Sequence, residues 1–203
     1  MRMRNGLLLA CAILILSGAS CAPVHSDKPL GSDPATFAKG ERLDGLWTDE
    51  FSFYFIIAQE PDLGLFRVTR ILMGDNDPSM DSFAVLIRQF ESKGEAWLIL
   101  NEEDGQLKGR YAWALARRRG ADQLLMWFTN RHSKAFAHLV ETGVLHGKVF
   151  DEPQQGESSF GGSTQVRVLL ENLSDEDVGA IIDRRAELFG WEPWLFTRLR
   201  GLP

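Results

Sequence analysis

The 203 residues carry 28 acidic against 22 basic side chains, a formal net charge of −6. Such a chain gains nothing from the counterion release that drives nucleic-acid binding, and it has no polybasic cluster for anionic lipid headgroups. With 44% hydrophobic residues it has enough apolar material for one domain with a core.

The chain opens on MRMRNGLLLACAILILSGASC. Arg2 and Arg4 form a short positive segment, Leu7 to Leu16 an uninterrupted apolar run, and Ser17 to Ser20 a stretch of small residues. That order predicts a secretory signal peptide over residues 1–20, since the apolar run is far shorter than the roughly 20 residues that cross a bilayer. The small residues end at Cys21, and SGASC resembles the lipobox of bacterial lipoproteins. The resemblance implies a diacylglycerol on the Cys21 sulfur and an N-acyl chain on its amine after cleavage. Ordinary secretion is the alternative. Cys11 follows LLLA, which resembles a second lipobox, but cleavage there leaves too short an apolar run in front. Several acyl chains hold a protein permanently where one holds it marginally. Ala22 follows the cysteine, where Asp signals inner-membrane retention in enteric lipoproteins, so the resemblance implies the outer membrane, periplasmic face. Removing residues 1–20 takes away two arginines and no acid, which moves the formal charge from −6 to −8. With Cys11 removed and Cys21 acylated, no thiol is left for a disulfide, for catalysis or for zinc.

Residues 21–43 mix Pro, Gly, Ser and charge without periodicity, which predicts a lipid-anchored flexible tether. About 20 such residues span roughly 25 Å, and Phe37 marks a point where the chain could first dock. Residues 44–203 then read as a single β-rich domain without internal repeats. Alternation with a period of two runs through FSFYFIIA, LFRVTRIL, SFAVLIRQF, AWLILN, RYAWALAR and QLLMWF, each bounded by polar turns. In the fifth of these, Tyr111, Trp113 and Leu115 share one face and Ala112, Ala114 and Ala116 the other. TQVRVLL (164–170) and WLFTRL (194–199) add two strands. Such a series predicts an antiparallel meander closing into a barrel or sandwich.

Two helices interrupt it. One follows Asn130, a possible cap, with Phe136, Leu139 and Val140 on one face and Gly143 at its end. The other lies just before the last strand. There Ser174 and Asp177 have the spacing of a capping box, Leu173 can staple onto Val178, and Val178, Ile181, Ile182 and Leu188 line one side up to Gly190. Residues 150–163 read as a mobile polar loop.

DGLWTDE puts Gly45-Leu46-Trp47 at the first strand, and this resembles the G-x-W motif of lipocalins. The C-terminal order of strand, LSDED, helix, GW and final strand is also similar to bacterial lipocalins, some of them outer-membrane lipoproteins. The resemblance implies a mainly β, lipocalin-like barrel of about eight strands with Trp47 closing its floor, and the carriage of a small apolar ligand. Lipocalins pack an Arg on that Trp, and Glu171-Asn172 stands near the expected position. HLVETGVLHGKV and the closing WLFTRL are similar to a broader group of bacterial lipoproteins that begin with G-x-W and end in an Arg-bearing strand. No activity carries over from that group.

Tyr111, Trp113 and Trp127 are the candidate ligand-binding residues, since a small barrel either fills itself or holds one apolar guest. Ordinary packing is the competing role. His132, His138 and His146 with Glu141 invite a metal reading. On a helix, however, His132 and His138 are six positions apart and point to different sides, so no metal or cofactor is expected. Glu102 to Asp104 lack calcium-loop spacing and read as a solvated turn. Ser158, Ser159 and Ser163 lie in no G-x-S-x-G context. The sequence therefore predicts a non-enzymatic envelope lipoprotein that binds an envelope partner. The alternatives are a lipocalin-like carrier and, behind it, a hydrolase.

Overall fold

A computed structural model describes residues 24–31, 33–35, 42–49, 53–60, 65–73, 78–103, 108–129, 133–153, 164–190 and 192–200. The strands in chain order begin with β1 (Val24–Ser26), β2 (Asp33–Pro34), β3 (Gly45–Asp49), β4 (Tyr54–Glu60), β5 (Leu65–Met73) and β6 (Pro78–Ser92). They continue with β7 (Glu95–Glu103), β8 (Tyr111–Arg118), β9 (Gln123–Phe128), β10 (Gly147–Pro153), β11 (Thr164–Leu170) and β12 (Trp194–Leu199). The helices are α1 (Ser133–Glu141), α2 (Asp175–Asp183) and α3 (Arg185–Phe189).

β3 to β9 form an up-and-down meander, each strand antiparallel to the next. Tight turns make this possible. Between Ser92 and Glu95 the two linking residues, Lys93 and Gly94, both have positive φ (52° and 76°), the requirement of a two-residue turn whose twist matches its strands. The chain then leaves the barrel through α1, β10, β11, α2 and α3 before β12 returns between β9 and β3, antiparallel to both. Without β12 those two strands would expose unpaired edges. With it the order β3-β4-β5-β6-β7-β8-β9-β12 closes into an eight-stranded antiparallel barrel, a lipocalin-like fold.

The excursion builds a second layer. β9 pairs with β8 only over Ala114–Arg118, and the edge it leaves beyond Phe128 is taken by Ser26 of β1 opposite Tyr111. β1 also runs parallel to β11, and β11 pairs with β10 over seven residues. β10 begins the segment expected to be a loop from residue 150. The expectation is corrected for 150–153, because Val149 packs on the core and the backbone of 147–153 is satisfied by β11; residues 154–163 lie outside the described residues. α1 and α2 carry the predicted apolar faces, with Phe136, Leu139, Val178, Ile181 and Ile182 buried. The capping box is present: Ser174 Oγ accepts from the Asp177 amide at 3.2 Å and the Ser174 amide donates to the Asp177 carboxylate at 2.7 Å. The proposed cap Asn130 lies outside the described residues.

The tether expectation is corrected as well for residues 24–31 and 33–35; residues 21–23, 32 and 36–41 lie outside the described residues. Val24, His25 and Ser26 are 0%, 3% and 0% exposed. Further on, buried Asn101 of β7 accepts from the Leu30 amide at 2.7 Å and donates to the Leu30 carbonyl at 3.1 Å. Asp33 and Pro34 pair with β6. The physical reason is that β8 leaves an edge at Tyr111 that β1 pairs with, and the apolar Val24 and Leu30 fill the second layer. Ordered structure therefore starts by Val24, twenty residues earlier than composition implies.

Candidate functional site

Alternation divides the buried residues into two cores. Trp47, Phe55, Val68, Ile87, Ala114, Met126 and Phe196 belong to the barrel lumen. Trp97, Trp113, Leu115, Trp127 and the helix residues belong to the layer between the barrel wall and the helices. β8 shows why: its alanines face the lumen, where Phe55, Phe196 and Phe128 take up the width, and its large side chains face outward under the helices. Phe55 and Phe196 meet across the lumen with centroids 5.4 Å apart. Among the described residues, the space between these side chains measures about 30 Å³ and is lined by apolar groups including Trp47, Val68, Ile87 and Met126.

None of the three candidate ligand-binding residues lines this lumen. Trp113 lies edge-on to Phe136 and to Phe189, each at 5.7 Å. Trp127 packs against Trp97 at 5.5 Å, and Tyr111 is half-buried at the β1 end of β8. The one-residue parity of a strand decides this, and the aromatics of β8 and β9 serve as mortar for the helices.

One end of the lumen is a built floor. The Trp47 indole N–H donates to the Leu43 carbonyl at 2.7 Å. The guanidinium of Arg198, which stands opposite Trp47 in the β3–β12 ladder, lies 5.9 Å from the ring centroid and donates to the carbonyls of Arg42 and Asp44. One Arg therefore holds the Trp47 ring by a cation–π contact and the neighbouring backbone by hydrogen bonds. The last strand supplies it, whereas Glu171-Asn172 lies between β11 and α2. Gly45 has φ of +130°, a conformation that L side chains rarely adopt, and a Cβ there would crowd Arg198 Nε at 3.0 Å. Sequence reasoning assigned no role to Arg198; the signal was its alternation with Trp194 and Phe196 in WLFTRL. Arg198→Ala should lower stability by about 1–2 kcal/mol, from one cation–π contact and two charge-assisted hydrogen bonds at a partly exposed site, and Arg198→Lys should recover little. Urea midpoints of the two variants check this.

The other end carries charge. β3, β5 and β7 run in the same direction, and Asp49, Arg70 and Glu102 each stand two residues beyond a lumen residue, Trp47, Val68 and Leu100. All three therefore lie at one rim. Arg70 is 4% and Glu102 6% exposed. Arg70 is paired with the Asp81 carboxylate, and Asp49 Oδ1 accepts from the Phe53 amide at 2.9 Å. Glu102 thus belongs to a strand and a buried rim, which corrects the solvated-turn reading; Asp104 lies outside the described residues. A sequence read for alternation could have found this rim, since each of the three continues the lumen face of its strand.

Of the metal candidates, His138 is exposed, and His146 is exposed and faces Asp177 at 3.9 Å. His132 lies outside the described residues. Among the described residues no group of three or more His, Cys, Asp or Glu side chains is placed to hold a metal. Cys21, Phe37, Ser158, Ser159 and Ser163 also lie outside the described residues.

The outer wall of β12, β3, β4 and β5 lies away from the helices. Leu199, Leu46, Ile56 and Thr69 are consecutive partners across these four strands, and Thr69 bonds Ser82 Oγ at 2.7 Å. Thr197, Thr48, Tyr54 and Ile71 form a second uncharged row. Ile56 is 42% and Leu199 36% exposed. The rows end at the Glu60–Arg67 ion pair, whose hydrogen bond holds the Glu60 carboxyl below the usual carboxylate range.

Among the described residues no helix is long and apolar enough to cross a membrane. Comparison of the chain with protein-family models, with curated proteins and with solved structures finds no match.

Proposed function

We propose that the chain is a lipid-anchored lipoprotein of the bacterial envelope, held at the periplasmic face of the outer membrane through acyl chains on Cys21, and that its barrel is a non-enzymatic module that binds an envelope protein. The observation that carries this reading is the filled lumen. Pockets for drug-sized ligands measure about 300–1,000 Å³, and the roughly 30 Å³ here accommodates a few atoms, so recognition falls to the surface. The uncharged outer wall of β12, β3 and β4 supports it further, because charge-poor, partly apolar patches are what protein interfaces bury at their centre. The test is cross-linking of the full chain in its own envelope followed by pull-down, in wild type and in Ile56→Lys. The expected result is a reproducible partner that Ile56→Lys loses, with Tm changed little because Ile56 is exposed. Recovery of the same partner from both would move the interface elsewhere, and recovery of none from either would sink the reading.

The apolar lining of the lumen favours a second reading, a carrier of a small apolar molecule. It requires the lumen to widen. A saturable rise in Tm on titration with fatty acids, retained in Ile56→Lys, would select the carrier over the interaction module.

A further inference from the structure

β6 is longer than its neighbours require. Its fifteen residues, Pro78–Ser92, pair with β5 over Pro78–Val85 and with β7 over Leu86–Ser92. β7 ends at Glu103, which the β6–β7 register places level with Ala84. On the β7 side, residues 78–83 therefore have no strand beside them among the described residues. The β5–β6 hairpin projects past the charged rim with one edge open.

Which backbone groups that edge presents follows from a single hydrogen bond. The Ala35 amide donates to the Ile87 carbonyl at 2.9 Å, next to β2, which pairs with Arg88 and Gln89. β7 pairs with the same two residues, so β2 lies on the opposite edge, the one that β5 occupies further along. A strand residue points its N–H and C=O to one side, and the next residue points them to the other. Odd-numbered residues of β6 therefore face β5, while Met80 and Ser82 turn their N–H and C=O groups to the open edge. Pro78 turns only a carbonyl to it.

Ser79, Met80, Asp81 and Ser82 are all exposed, and Met80, at 69%, is the most exposed large apolar side chain among the described residues. A single exposed apolar residue is ordinary. On an unpaired edge it matters more, because such an edge is a template for another strand, and proteins commonly blunt it with lysines or charges. No lysine stands between Pro78 and Val85, and the one charge, on Asp81, is held by Arg70 of β5.

We propose that a second copy of this chain pairs its own β6 with this edge, antiparallel, with Met80 on the two-fold axis. Register selects both the centre and the occupant. Centring the pair on Asp81 sets that carboxylate directly against its counterpart, and like charges directly opposite are destabilising. Centring it on Ser82 brings the incoming Met80 against Ala84, where Glu103 of β7 stands level. Centring it on Met80 avoids both. Met80 then meets Met80, apolar on apolar. Asp81 stands opposite Ser79 of the other copy, whose hydroxyl can donate to it. The Ser82 N–H meets the Pro78 carbonyl, so the donor that Pro78 lacks falls at the end of the ladder. This self-complementarity is what a two-fold interface requires, and it favours a second copy over a foreign strand. A ladder over residues 78–82 falls well short of the roughly 1,200–2,000 Å² that stable complexes bury, so the dimer is weak and concentration-dependent. It depends neither on acylation of Cys21 nor on the uncharged outer wall.

The test oxidises cysteine variants of the full chain, with the wild-type chain treated alike to set the background from Cys11 and Cys21. Directly opposite hydrogen-bonded residues have Cα atoms about 5.5 Å apart, within the roughly 4.4–6.8 Å that a disulfide spans. Met80→Cys should therefore give covalent dimer several-fold above background. Ala84→Cys, exposed and four residues along the same strand, should stay at background. In sedimentation, the wild-type full chain should show dimer that rises with concentration and is lost in Met80→Lys, which opposes two cations at an exposed site where the fold tolerates substitution. Ser82→Pro is the second variant, since it removes a donor that faces the open edge and none that β5 uses. It should be monomeric and folded as well. Equal cross-linking at positions 80 and 84 would overturn the register. A wild-type chain that stays monomeric at every concentration, or a dimer that persists in both Met80→Lys and Ser82→Pro, would overturn the pairing.

Discussion

Trp113→Ala should destabilise the protein by about 3–5 kcal/mol, the cost of removing a large buried aromatic from a core, and should loosen the helix layer without opening the lumen. Trp113 is fully buried, and its ring is edge-on to Phe136 of α1 and Phe189 of α3, which in turn meet each other at 5.6 Å and 88°. One side chain of the barrel wall thus holds two helices, and each such aromatic pair adds about 0.5–1.5 kcal/mol beyond its buried area. The indole N–H of Trp113 has no hydrogen-bond partner among the described residues, and a buried unpaired donor costs about 1–3 kcal/mol. Trp113→Phe keeps most of the packing and removes that donor, so it should cost far less than Trp113→Ala. Urea unfolding with the slope compared across variants separates the two. A Trp113→Ala variant within about 1 kcal/mol of wild type would mean that the helices are held elsewhere.

Asn101→Ala should cost about 2–4 kcal/mol and release the first described segment selectively. Its carboxamide bonds both backbone groups of Leu30, and the same Nδ2 also approaches the carbonyl of Ile99 at 3.2 Å. Truncation leaves the Leu30 N–H and C=O buried without partners, at about 1–3 kcal/mol each. Because residues 24–31 cross the molecule as one short segment, the loss should appear as local opening before global unfolding. Hydrogen exchange checks it: the amides of Val24 to Ser26 should exchange faster while those of β4 and β5 keep their protection. Unchanged exchange at β1 would show that its ladder with β11 suffices. Asn101→Asp should do no better, because a carboxylate accepts from the amide but leaves the carbonyl facing a buried charge.

Local chemistry was legible residue by residue. The period-two runs identified the barrel strands, Gly143 ended α1, and the capping box and apolar stripe up to Gly190 read as one helix what the structure divides at Arg184 into α2 and α3. The G-x-W motif pointed to the floor, because its glycine and tryptophan are needed within one strand. Three features were not legible. The three residues of β1 are too short for any periodic signal, and their pairing depends on an edge of β8 that exists only where β9 stops. Arg198 finds Trp47 across a chain separation that only the β3–β12 register closes. The side of β8 that turns inward was ambiguous, since alanines and aromatics are both apolar and either face could have been the lumen.

By itself, then, the sequence determined strand periodicity, helix caps and the N-terminal pattern ending at Cys21, all of which depend on neighbours a few residues apart. Only the tertiary structure decided that β12 closes the barrel, that the lumen is filled, that Arg70 and Glu102 share a rim, and that order begins by Val24. Each of these depends on which distant strand lies alongside, and register between strands is set by the packing of whole faces rather than by any local run of residues.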